Sequence, residues 1–151
     1  IIEKIVDPNG AVVQPFNPQT LGTPVSDTTA SQLRDAMYGV VQCGSGRFSS
    51  PEPLLNLSPW NIIAKTGTGQ VPQNPNSNQI IPAEAWLITQ APYQNPRLTI
   101  VAMKENEGEG GSVNGPMVKD MYNDIFTQVI KIPLPPTPDP NYCSTTGLLQ
   151  G

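Results

Sequence analysis

The sequence predicts an α+β fold, with an antiparallel sheet flanked by helices. Three observations carry that reading. Two apolar runs, Glu84–Ala91 and Arg97–Lys104, are separated only by Pro92-Tyr93-Gln94-Asn95-Pro96, a gap that suits an antiparallel hairpin and is too short for a parallel crossover. Another run, Asn61–Gly69, has the same strand chemistry just upstream. Near the end, Met117, Val118, Met121, Tyr122, Ile125, Phe126, Val129 and Ile130 recur at helical spacing and form a stripe that a sheet face would cover.

From the start of the chain, Ile1–Val6 and Ala11–Phe16 flank Asp7-Pro8-Asn9-Gly10. Proline presets φ there and Asn-Gly accepts φ > 0, which predicts a hairpin. Ser26 suits the cap of a helix running to about Gln42, with Leu33, Met37, Val40 and Val41 on one apolar face and Gly44 and Gly46 ending it. Residues 47–59 read as loop. After the strand Asn61–Gly69 comes a loop rich in Pro and Asn. An acidic stretch, Glu105–Gly111, reads as a mobile, solvated loop and fits no calcium-ligand pattern. Pro116 suits the first turn of the last helix, Asn114 its cap, and Met117 and Met121 its core side. Trp86 reads as core or as a sheet-to-helix contact. Residues 133–151 open Pro-Leu-Pro-Pro-Thr-Pro-Asp-Pro and resemble an extended tail.

Composition excludes several functions. The 151 residues carry a net charge of −4, with no basic stripe to neutralise phosphates, so nucleic acid is not an expected partner. Histidine is absent, which removes Ser-His-Asp and Cys-His catalysis and most transition-metal sites; no cofactor is expected. Cys43 and Cys143 lack the spacing of a zinc or redox motif. No apolar run reaches the roughly 18 residues that would suggest a membrane span. The chain opens at Ile1 without methionine or signal peptide and is read as an excised segment.

The chemistry sits in Lys65-Thr66-Gly67-Thr68, at the end of the apolar Ile62-Ile63-Ala64. Lys-Thr-Gly is shared by penicillin-binding proteins and serine β-lactamases. Its surroundings follow the transpeptidase order: Ala85-Trp86-Leu87, Ala91-Pro92, Leu98-Thr99-Ile100-Val101-Ala102-Met103, then Gly110-Gly111-Ser112 before the Pro116 helix. Upstream, Val6-Asp7-Pro8-Asn9-Gly10 and Val40-Val41 to Gly44-Ser45-Gly46 are similar to further family patterns. Over residues 1 to about 130 the chain thus resembles the C-terminal part of a penicillin-binding protein transpeptidase domain, closest to the high-molecular-mass members.

The resemblance implies a partial transpeptidase (β-lactamase-like) fold over residues 1–132, followed by a proline-rich tail, 133–151. It implies that Thr68 supplies an oxyanion-hole N–H, that Lys65 faces the substrate carboxylate, and that Thr66 and Thr68 hydrogen-bond it, with Gly67 leaving room for substrate backbone. The expected partners are a peptidoglycan stem peptide or a β-lactam, at the extracytoplasmic face of a bacterial membrane and anchored by a segment outside this chain.

The family nucleophile lies in Ser-x-x-Lys, and no serine here has lysine three residues later. Ser112-Val113-Asn114 matches Ser-x-Asn but falls after the Lys-Thr-Gly strand, whereas the family places its copy before it. The serine is therefore expected in a missing N-terminal part of the same domain. This chain alone is expected to be inactive, and self-association is expected where apolar surface is left uncovered. A non-catalytic, β-lactam-sensing module of the same fold is the alternative, with a serine β-lactamase behind it. Whether Cys43 and Cys143 are bridged stays open; a bridge would pin the tail to the body.

Overall fold

The structure is a computed structural model that describes residues 2–17, 19–44, 58–139 and 141–145. It divides into two compact units, Ile1–Ala30 and Ser31–Gly151.

In the first unit, β1 (Lys4–Val6) and β2 (Val12–Pro15) form an antiparallel hairpin, β1 starting later than the predicted run and β2 one residue shorter at each end. The turn chemistry is as read. The Asp7 carboxylate accepts from the N–H of Asn9 and of Ala11 at 2.9 and 2.8 Å, and Gly10 takes φ +86°. The boundary between the units falls inside helix α1 (Asp27–Gln42), whose residues from Ser31 on belong to the second; the helix begins where Ser26 caps it, the Ser26 hydroxyl accepting from the Thr29 N–H at 3.1 Å. Its predicted stripe needs correction. Leu33 is 56% exposed, and the buried members are Tyr38, Gly39 and Val41.

In the second unit β3 (Ile63–Gly69), β4 (Glu84–Ala91) and β5 (Leu98–Lys104) form an antiparallel sheet in that order. The Ala91–Pro92 peptide between β4 and β5 is cis. Strand alternation turns Ala85, Leu87, Thr89 and Ala91 to the buried face, opposite Ala102 and Ile100 of β5. Helix α2 (Gly110–Asp124) covers that face with Val118 and Tyr122, and a π-helical segment, Ile125–Val129, extends it and adds Phe126. Val41, Trp60, Ile62 and Ala64 complete the core.

Five expectations need correction here. The last helix starts at Gly110 and not near Pro116, which lies inside it. Asn114 is consequently not a cap: it is fully buried and its Nδ2 donates to the Ala85 carbonyl at 2.8 Å. Met117 and Met121 are each 40% exposed, so they flank the buried stripe instead of filling the core. Trp86 likewise faces away from the helix, on the second sheet face with Ile88, Val101 and Met103, all more than two-fifths exposed. Glu105–Gly111 is shorter as a loop than read, and the Gly108 N–H ties it to the Ala83 carbonyl at 2.8 Å.

The proline-rich segment runs without regular structure to Asp139, and a short helix, α3 (Tyr142–Thr145), follows. A disulfide joins Cys43, just past α1, to Cys143 in α3, with Cα atoms 5.5 Å apart. Asn61 Nδ2 donates to the Pro136 carbonyl at 2.7 Å. Tyr38 stacks on Tyr93 at 4.5 Å and meets Tyr142 edge-on at 4.9 Å, while the Tyr93 hydroxyl donates to the Asp35 carboxylate.

These contacts hold all four tyrosines in the neutral state. Burial pushes Tyr122 up to about 12 despite its hydrogen bond with Thr89; the hydrogen bond to Asp35 does the same for Tyr93; burial raises Tyr38 and Tyr142. Below the unfolded value of about 10 both states are protonated and this contribution is fully present. As pH rises through about 10 to 12 the unfolded chain loses its protons first, so stability falls across that window. Ultraviolet titration of tyrosinate should show native midpoints above 10 that return to about 10 in denaturant. Coincident native and denatured curves would contradict the packing described.

Candidate functional site

The predicted site residues all lie on β3, the outer strand of the sheet among the described residues. The strand begins buried, at Ile63 and Ala64, and emerges at Lys65. Its register pairs Lys65 with Ile88, Thr66 with Leu87, Gly67 with Trp86 and Thr68 with Ala85. The pleat therefore divides the motif: Thr66 and Thr68 share the face that α2 covers, while Lys65 and Gly67 share the face of Ile88 and Trp86. Lys65 and Thr68 are exposed, Thr66 and Gly67 half-buried. The Lys65 ammonium donates to the carbonyl of Thr66, folding the side chain back along the strand edge.

Gly67 sits in a tight contact that the sequence did not suggest. A Cβ there would lie 3.1 Å from Trp86 Cβ, and one at Gly69 would lie 3.5 Å from Trp86 Nε1. The Trp86 side chain thus leaves from beside Gly67 and brings its indole N–H against Gly69, across the strand pair. The room at Gly67 on this face is taken by Trp86.

On the other face the first turn of α2 meets the motif. A Cβ on Gly110 would fall 1.8 Å from the Trp86 carbonyl oxygen and 2.8 Å from that of Gly67. One turn on, Asn114 donates to the carbonyl of Ala85, the partner of Thr68. Sequence reading missed both as contributors to the site; the Gly110-Gly111 pair was the available signal for a close backbone approach.

Ser112 lies in the same turn, but its hydroxyl donates to the Glu109 carbonyl at 3.1 Å and to the Glu109 carboxylate at 3.3 Å, a local bond. Ser26 caps α1, and Ser144 donates to the Asn141 carbonyl. No cluster of three or more metal-ligating side chains occurs among the described residues, and none of their helices is long and apolar enough to cross a membrane. The arrangement presents a strand edge bearing an ammonium, two hydroxyls and backbone amides. Such an edge offers donors of the kind that an extended peptide or a carboxylate accepts, and the chain contains no histidine to act as a base.

A family model described as the penicillin-binding protein transpeptidase domain matches residues 1–123. The peptidoglycan D,D-transpeptidase MrdA of Salmonella typhimurium is 27% identical over 129 residues, which cover 78% of this chain and 20% of that protein. Penicillin-binding protein 3 of Mycobacterium tuberculosis, solved with ampicillin, superposes with a TM-score of 0.67 at 24% identity, over 92% of this chain and 32% of that one. Penicillin-binding protein A of the same organism, solved as a ceftriaxone acyl-enzyme complex, gives 0.62 at 22% identity, over 80% and 26%. The structural likenesses establish the fold. The chain spans about a fifth of the length of the curated relatives it matches.

Proposed function

Because the chain belongs to the penicillin-binding protein transpeptidase family, we propose that it forms the substrate-binding edge of a peptidoglycan D,D-transpeptidase whose nucleophilic serine lies in a segment outside it. In this reading that serine attacks the carbonyl between the two terminal D-alanines of a stem peptide. The ester forms as D-alanine leaves, and the amine of a second stem peptide then displaces the serine to make the cross-link. A β-lactam acylates the same serine and stops there. Lys65 and the hydroxyls of Thr66 and Thr68 receive the substrate carboxylate. The Thr68 N–H and the serine's own N–H stabilise the oxyanion.

The observation that carries this is the placement of Lys65–Thr68 on the outer strand, where an extended peptide can add alongside. The direction of the Thr68 N–H also fits. Gly110 lies against the carbonyl oxygens of both Gly67 and Trp86, which supports reading those two residues as a pair that exchanges ladder hydrogen bonds. Alternation along an antiparallel ladder then leaves the Thr68 N–H directed at the outer edge. The Cys43–Cys143 bridge supports an oxidising, extracytoplasmic location.

A fluorescent penicillin tests the proposal. This chain alone should form no covalent adduct; the full-length protein should, and Lys65→Ala should slow that acylation at least tenfold by weakening carboxylate recognition. Labelling of the isolated chain would overturn the assignment of the serine to another segment. We infer in addition that the second sheet face, with Trp86, Ile88, Val101 and Met103 exposed, is covered by the remainder of the domain. Isolated, the chain should self-associate. Sedimentation as a clean monomer over a wide concentration range would contradict that.

A further inference from the structure

The geometry points to the first turn of α2 as the element that sets the position of the Lys65–Thr68 edge, with Gly110 and Asn114 as positioning residues for acylation. This rests on the assignment of β3 as the substrate-facing strand. Neither residue touches the substrate side directly. Each acts through a register pair: Gly110 through Gly67–Trp86, and Asn114 through Ala85, the partner of Thr68.

The close approach at Gly110 leaves no alternative residue. Real Cβ atoms do not come within 3.0 Å of a neighbouring backbone atom, and one here would lie 1.8, 2.6 and 2.8 Å from Trp86 O, Trp86 C and Gly67 O. All three are backbone atoms of paired strands, so no flexible side chain can yield. Either the helix lifts off the sheet or β3 and β4 move at Gly67 and Trp86. Thr68 is the next residue along β3, so its N–H moves with them.

Asn114 fixes the second point. It is fully buried, and its Nδ2 reaches the Ala85 carbonyl at 2.8 Å across the helix-sheet boundary. Its Oδ1 has no hydrogen-bond partner among the described residues. A buried asparagine with only one end satisfied is a costly choice for a purely hydrophobic contact, because leucine would fill the space without a stranded acceptor. The amide holds the helix at one register along β4, which apolar contacts alone do not specify. Two adjacent strand pairs are thereby clamped, with the proposed oxyanion donor at one of them.

The test uses the full-length protein and a fluorescent penicillin, with the acylation rate constant separated from the initial binding constant. Displacement of a reacting group by about 1 Å costs on the order of a hundredfold in rate, so Gly110→Ala should slow acylation at least about tenfold and change initial binding far less. Asn114→Leu should lower the same rate constant by a smaller factor. Phe126→Leu, at the buried core residue of the π-helical segment, provides a control that lowers the melting temperature and leaves the rate constant unchanged. Should Gly110→Ala fail to fold, Asn114→Leu against Phe126→Leu decides. Gly110→Ala and Asn114→Leu acylating no more slowly than Phe126→Leu would overturn the inference. If Lys65→Ala is slowed in that case, only the positioning role is lost; if Lys65→Ala is also at the wild-type rate, the assignment of the strand itself fails.

Discussion

Replacing Thr68 by proline in the full-length protein should reduce penicillin acylation on the order of a hundredfold or more, since an oxyanion donor contributes about 3 kcal/mol. Proline deletes the N–H and, with it, the hydroxyl proposed to receive the carboxylate, so Thr68→Val, which keeps the N–H and loses only the hydroxyl, separates the two losses. The position is exposed on an outer strand, where proline is tolerated if its N–H faces away from the ladder. Gly67, preceding it, already lies in a strand and accepts the extended conformation that a following proline imposes. The melting temperature should therefore change little while acylation collapses. Thr68→Ser keeps both hydroxyl and N–H and should be mild. A proline variant that acylates at the wild-type rate would show that Thr68 is not the donor. One that unfolds would show instead that its N–H belongs to the β3–β4 ladder.

The second large effect concerns stability. Reducing the Cys43–Cys143 bridge should destabilise the chain by up to roughly 4–5 kcal/mol, because the bridge closes a loop with a sequence separation of 100 residues. For a domain of this size that corresponds to a melting temperature lower on the order of 10 °C. The loss should be concentrated in the tail. Freed of the bridge, residues 133–145 keep the Asn61–Pro136 hydrogen bond and the Tyr38–Tyr142 contact, neither of which closes a covalent loop. Limited proteolysis should then cut within the tail before the sheet. Equal melting curves with and without a reductant that yields two free thiols would contradict this.

The strands were legible because their signals are local. β4 and β5 follow from two apolar runs and a short proline-flanked gap, and Ser26 marks the start of α1 in both sequence and structure. Which face each residue takes was less legible. Ala85-Trp86-Leu87-Ile88 is apolar at every position, so alternation alone cannot say which members face the helix. The start of α2 was misplaced for a different reason. Pro116 is a good first-turn residue by local preference, yet the helix begins at Gly110 because glycines there let its first turn meet the sheet backbone, a tertiary requirement. For the same reason Asn114 read as a cap and is a buried donor to β4. The candidate site was legible only as residue types on one strand. That Trp86 occupies the space beside Gly67, and that α2 backs Gly67 and Ala85, required the fold.

The most direct measurement is a crystal structure of the full-length protein acylated by penicillin. The acyl carbonyl oxygen is predicted to accept from the Thr68 N–H, with the ligand carboxylate held by Lys65 and the hydroxyls of Thr66 and Thr68 along the outer edge of β3. An adduct whose carbonyl oxygen points away from Thr68, or whose carboxylate lies off β3, would contradict the account.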